Sequence, residues 1–284
     1  MYKKHILLAT LAIVAAACGK PAPDAEEPAH EAAGQAGHAE APAGHTAHWS
    51  YEAGSGPSEW AGLNPDYALC GSGAEQSPID LSGAVATELK PLAREYQSAS
   101  VRIIRHEHVV DVVDNGHTIQ VNYDDGSVLR IGDKTFELAQ YHFHAPSEHT
   151  VDGRHSPMEM HLVHQSASGE LAVVGVLIDE GEHNAAFDPI WAQLPDEPGE
   201  ELHLENVNVN VDDMLPEDHR TYRYMGSLTT PPCSEGVNWF VAVEPIQLSA
   251  DQIGAFTAII NNNNRPVQPL GERALVVDRV AESE

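Results

Sequence analysis

Apolar residues in this chain come in short runs between turn residues, without the three-and-four spacing of long amphipathic helices. Val101–Ile104, Val109–Val113, Thr118–Tyr123, Leu171–Ile178, Leu204–Val211 and Val237–Val243 are rich in β-branched residues and bounded by Gly, Pro, Asn and Asp clusters. Such runs read as strands. Gln140–His144 and Glu159–His164 read as two more. Ala185–Leu194 and Asp251–Ile260 are the best helical stretches, both short, and no internal repeat is present. The pattern predicts a single, mainly β (α+β) domain over residues 48–284, long enough to bury a sizeable core.

The first 47 residues read differently. Lys3 and Lys4 precede an apolar run, Ile6–Ala17, too short to span a bilayer. Ala15-Ala16-Ala17-Cys18 has the form of a bacterial lipoprotein cleavage site, so residues 1–17 are expected to be a signal peptide and Cys18 to carry lipid. Leu is commoner where Ala15 stands, which leaves cleavage and release as the alternative. Residues 18–47 hold Ala, Gly, Pro, Glu and His without apolar periodicity, the composition of a flexible tether. His30, His38, His45 and His48 suggest weak zinc collection there, but a solvated linker accounts for them better. These features imply export to a bacterial periplasm.

Charge narrows the partners. There are 15 Lys and Arg against 43 Asp and Glu, a formal net charge of −28. That argues against nucleic acid and against electrostatic binding to anionic lipid. Membrane contact would come only through the N-terminal lipid.

Candidate chemistry lies in His142-Phe143-His144 and in His161, seventeen positions after His144. A strand sends alternate side chains to one face, so His142 and His144 point the same way, about 6–7 Å apart. A neighbouring strand carrying His161 would add a third imidazole. Three neutral imidazoles without a fourth protein ligand make an open catalytic zinc site. Two residues upstream of His142 and His161 stand Gln140 and Glu159, acceptors suited to the second ring nitrogen of each ligand. Spacing alone leaves chance open, because the chain has 17 His to scatter. His106 and His108 repeat the HxH spacing with no motif around them.

Surrounding motifs add what spacing lacks. Gln140-Tyr-His-Phe-His144, Ser147-Glu-His-Thr-Val151, Glu159-Met-His-Leu-Val-His164 and Leu228-Thr-Thr-Pro-Pro232 occur in this order. They are flanked by His48-Trp-Ser-Tyr51, Gln76-Ser-Pro-Ile-Asp80, Asn115-Gly-His117 and Asn264-Arg-Pro-Val-Gln-Pro-Leu270. In these motifs the chain resembles the α-class carbonic anhydrases, over nearly everything after residue 47.

That resemblance implies reversible hydration of CO₂ to bicarbonate and a proton. One Zn²⁺ per chain would be held by His142, His144 and His161, with water in the fourth position. The family is the standing example of zinc lowering a bound water's pKa to about 7, so that zinc-bound hydroxide attacks CO₂. Thr229 and Glu148 match the pair that orients the hydroxide. His117 matches the proton shuttle, a role that suits a group with an unperturbed pKa of about 6.5. Val163, Val173, Leu228, Val237 and Trp239 match the hydrophobic wall of the substrate pocket, and Gln120 stands where many relatives have Asn. His149 and His164 match structural positions, while His155, His183, His203 and His219 read as surface residues. With Cys18 assigned to lipid, Cys70 and Cys233 remain to pair in an oxidising compartment, and relatives bridge these positions. The family further implies a large, twisted, mainly antiparallel sheet with zinc in a conical cleft, cis bonds at Ser77–Pro78 and Pro231–Pro232, and, among bacterial members, frequent homodimers. Two other functions fit parts of the chain. A non-catalytic binding module usually lacks one or more zinc histidines, and a zinc buffer would need only the tether.

Overall fold

The computed structural model describes residues 48–90, 92–106, 118–194 and 201–279, and for 100–106 and 201–208 the backbone alone. The signal peptide, Cys18, the tether, the strand expected at Val109–Val113 and His117 lie outside the described residues.

Among the described residues fifteen strands run in chain order: β1 Val85–Thr87, β2 Ala93–Glu95, β3 Ala99–His106, β4 Thr118–Tyr123, β5 Val128–Ile131, β6 Lys134–His144, β7 Thr150–Val151, β8 Arg154–His155, β9 Met158–Ser166, β10 Leu171–Glu180, β11 Glu201–Val209, β12 Thr221–Ser227, β13 Glu235–Ala242, β14 Ile246–Leu248 and β15 Val276–Asp278. Thirteen form one sheet with the path β1-β15-β12-β13-β10-β9-β6-β4-β3-β11, while β14 joins β10 and the β2–β5 pair joins β6. Most neighbours are antiparallel; β1–β15, β10–β13 and β10–β14 are parallel. The sheet is therefore mixed but mainly antiparallel, as expected.

Helices are few and short. The stretch expected at Ala185–Leu194 is a 3₁₀ turn, Ala185–Phe187, running into a single helical turn at Asp188–Trp191. The later helix spans Ala250–Thr257 and starts at Ser249, whose side chain accepts from Gln252 N while the Gln252 side chain caps in return. Single turns at Trp60–Leu63 and Leu69–Ser72 carry too little period to be read from sequence.

Strand β6 shows how the sheet makes room for a site. Its first half alternates, with Phe136 and Leu138 buried between exposed neighbours, and then Tyr141 to His144 are buried on both faces. Tyr141 and Phe143 join the larger core with Met160, Leu162, Phe187 and Phe256. His142 and His144 take the opposite face. A second core packs Ile79, Val173, Val237 and Trp239 beside that face, and a third joins Trp49, Trp60 and Tyr67 to the Cys70–Cys233 disulfide. Among the described residues three X–Pro bonds are cis: Ser77–Pro78, Pro231–Pro232 and, not foreseen, Ala145–Pro146.

Candidate metal centre

Register brings the three histidines together. Strand β9 pairs antiparallel with β6 so that His142 lies opposite His161. The register slips between Leu138 and Gln140, a bulge at the mouth of the site. Candidate ligand atoms of His142, His144 and His161 lie within 4.8 Å of one another, and all three rings are buried.

Each ring is held by its second nitrogen. His142 Nδ1 meets Gln140 Oε1 at 2.8 Å, as the spacing predicts. His161 Nε2 meets Glu159 Oε1 at 2.9 Å. His144 Nδ1 meets the carbonyl of Asn263 at 2.7 Å, a partner 119 residues away that no local pattern announces. Donation through these nitrogens fixes the tautomers and presents Nε2, Nε2 and Nδ1 of His142, His144 and His161 as ligating atoms. Nε2 of His144 is buried with no hydrogen-bond partner among the described residues. Burial lowers the pKa of His144 to about 4. Burial also lowers that of His161, outweighing Glu159, which pulls it up. Both rings are neutral at pH 7, the state a metal requires. Converging neutral imidazoles with an orphaned buried nitrogen fit a borderline dication such as zinc.

Glu159 does more than its spacing suggested. Its Oε2 accepts from the backbone N–H of Glu148 (2.9 Å) and of His149 (2.8 Å), and its Oε1 accepts also from His149 Nδ1 at 2.7 Å. Burial raises its pKa, but the two histidines and these hydrogen bonds prevail and hold the carboxyl well below the usual range. His149, structural by resemblance, continues the network: its Nε2 lies 2.7 Å from the Tyr224 hydroxyl, which reaches Ser77 Oγ at 2.9 Å.

Glu148 is fully buried beside the cluster. Its Oε1 accepts from Arg265 N at 2.8 Å, while its Oε2 lies 3.6 Å from His144 Nε2 with no hydrogen-bond partner among the described residues. Burial raises its pKa to about 7 against the opposing effects of His161, the Arg265 N–H and the Thr229 hydroxyl. Thr229 thus faces this carboxyl as a donor without completing a bond of ordinary length to Oε2.

A cavity of about 410 Å³ opens over His142 and His161, with Val163, Val173, Leu228, Thr229 and Trp239 in its lining. Val237 is not among the lining residues: although it shares the β13 face of Trp239, it is buried within the second core with Val173 and Trp239. Gln165, Leu171 and Thr230 also line the cavity and were not foreseen. Gln120 donates to Asn122 Oδ1 at 2.6 Å on the strand next to β6. His164 is buried, whereas His155, His183 and His219 are exposed.

Residues 55–279 match the family described as eukaryotic-type carbonic anhydrase. The chain belongs to that family. A carbonic anhydrase of Nostoc sp. is 42% identical over 236 residues, 81% of this chain and 86% of that protein. A hyperthermostable carbonic anhydrase from a hydrothermal vent chimney superposes with a TM-score of 0.76 at 44% identity, covering 81% of this chain and all of that one. The α-carbonic anhydrase of Thermovibrio ammonificans, solved with the inhibitor sulfanilamide, matches with a TM-score of 0.76 at 41% identity, covering 81% of this chain and 99% of that one. This chain is accordingly a carbonate dehydratase, a lyase acting on CO₂ and bicarbonate in a family that is zinc-dependent.

Proposed function

We propose that hydration proceeds with one Zn²⁺ per chain held by Nε2 of His142, Nε2 of His144 and Nδ1 of His161. The observation that carries this reading is the neutral, buried and partnerless Nε2 of His144, converging with two other imidazoles on one point. Zinc bound there supplies a Lewis acid that makes a coordinated water acidic near neutral pH.

The chain's own residues aim the reaction. An ionised Glu148 only accepts hydrogen bonds, so the Thr229 hydroxyl donates to it and must accept, at its oxygen, from the attacking group. This points a lone pair at the carbon and rejects ligands without a hydrogen to give. Val163, Val173, Leu228 and Trp239 offer an apolar wall to CO₂, which is uncharged and loses no hydrogen bond by desolvation. His117, in its Asn115-Gly116-His117 motif, carries the released proton to buffer.

Export belongs to the same proposal: a signal peptide ending at Ala17, a periplasmic chain anchored by lipid on Cys18, and assembly as a homodimer. The Cys70–Cys233 bridge, with its Cα atoms 5.1 Å apart, supports an oxidising compartment.

Mature protein should carry one zinc per chain and hydrate CO₂ in a sulfonamide-sensitive manner. Several zinc ions per chain, or none, would overturn the reading. Thr229→Ala should keep its zinc and lose roughly 10²-fold in kcat, the usual effect of removing one preorganised hydrogen-bonding group. Near-normal turnover in that variant contradicts the orienting role. Hydration by His117→Ala in weak buffer should fall and return on adding imidazole.

A further inference from the structure

Arg265 is a fully buried cation, 1% exposed, whose main chain meets the Glu148 carboxyl while its guanidinium bonds other groups. Its guanidinium spends its donors on one stretch of chain. Nη1 donates to Gln76 Oε1 (2.9 Å) and to the Ser77 carbonyl (2.8 Å), Nη2 donates to the Cys70 carbonyl (2.8 Å), and the planar group lies 5.8 Å from the Trp60 ring centroid. The backbone N–H of the same residue donates to Glu148 Oε1.

Segment 70–77 in turn holds the loop that bears Thr229. Gln76 Nε2 donates to the Cys233 carbonyl (3.0 Å) and to Glu235 Oε1 (3.1 Å). Ser77 N donates to Ser227 Oγ (2.9 Å), and Ser227 N donates to Ser77 Oγ (3.1 Å). Cys233, bridged to Cys70, closes the loop by donating its N–H to the Thr230 carbonyl at 2.8 Å. One residue is therefore joined to both catalytic partners, to Glu148 by its main chain and to the Thr229 loop by its side chain through Gln76 and Cys70. Burying a charge is costly unless its donors are satisfied, and a fork of fixed geometry serves several carbonyls as an ammonium cannot.

We infer that Arg265 is a positioning residue, a clamp that sets the distance between Glu148 and Thr229. This rests on the orienting role proposed above for that pair. The clamp acts on ligand choice as well as on rate, since a Thr229 oxygen held by Glu148 admits ligands that donate and rejects those that cannot.

The test is the ratio of dissociation constants, on zinc-loaded protein, of thiocyanate, which has no proton to give, and a primary sulfonamide, which has. Arg265→Lys keeps the charge and the main-chain N–H but loses the fork. Gln76→Met leaves Arg265 its Cys70 and Ser77 carbonyls and cuts the link to Cys233, so it keeps the test open if Arg265→Lys does not fold. Thr229→Ala is the reference. Both clamp variants should keep their zinc and shift the ratio toward thiocyanate on the order of tenfold, below the ~10²-fold that a full ångström of misplacement can bring. Wild-type ratios in both, with a shifted ratio in Thr229→Ala, overturn the clamp and spare the orienting role. An unshifted ratio in Thr229→Ala overturns that role, and the clamp with it. A population of misfolded chains lowers the bound fraction for both ligands without changing their ratio.

Discussion

Tyr141, on β6 between Gln140 and His142, is fully buried, yet its hydroxyl has no hydrogen-bond partner among the described residues. A buried polar group left unpaired costs about 1–3 kcal/mol. Tyr141→Phe should therefore raise stability by about 1 kcal/mol in urea unfolding, and a loss would reveal an unseen partner. His164 sits equally deep, its Nε2 2.9 Å from the Tyr96 hydroxyl and its Nδ1 3.3 Å from the Ala172 carbonyl. Burial, outweighing two backbone hydrogen bonds, lowers its pKa to about 4. An unfolded histidine titrates near 6.5, so between those values the unfolded chain binds the extra proton and stability falls as pH falls. His164's share of the loss on going from about pH 7.5 to about pH 5 should be about 2 kcal/mol. His164→Gln should flatten this acid limb; an unchanged slope would place the titration elsewhere. Among single residues, the shared face of His142 and His144 was legible because alternation on a strand is local, and so were the hydrogen-bonding partners Gln140 and Glu159. Asn263 and Arg265 were not, since their partners lie 119 and 117 residues away.

Strands were legible where β-branched runs are dense, as in β4, β10 and β13. Strand β12 was not, because Thr221-Tyr-Arg-Tyr-Met-Gly-Ser227 mixes polar and aromatic residues and has glycine next to its last position. That glycine has a steric reason. A Cβ on Gly226 would collide with Ser77 Oγ and come within 2.7 Å of Tyr224 and 2.9 Å of Trp239. It stands where β12 slips register against β13, one residue before the Ser77–Ser227 exchange. Gly226→Ala should destabilise by about 1–3 kcal/mol, the cost of overpacking a filled site, and thermal unfolding would show it. An unchanged midpoint would mean that the strand yields at no cost. The disulfide near the end of this element closes a span of 163 residues. In the chain-entropy account such a link adds up to about 5 kcal/mol by restricting the unfolded chain.

At the scale of the molecule, the chain carries a formal charge of −28, while the described residues that line the cavity include no Lys, Arg, Asp or Glu. Anions are then disfavoured by the long-range field, while neutral CO₂ is indifferent to it. Raising ionic strength from about 0.01 M to about 0.15 M shortens the screening length from about 30 Å to about 8 Å. Thiocyanate should bind about threefold more tightly after that change, with a neutral ligand unaffected. Equal responses of the two ligands would remove the field from the account. The sequence by itself determined the β class of the domain, the shared face of His142 and His144, the acidity of the whole and the motifs that carry the family likeness. All of these are local or additive properties. Only the tertiary structure decided that His161 lies opposite His142, that Asn263 supports His144, that Val237 is buried within the second core and that Arg265 joins Glu148 to the Thr229 loop. Such contacts depend on strand register and chain return, and a one-residue slip would undo them while leaving the local pattern unchanged.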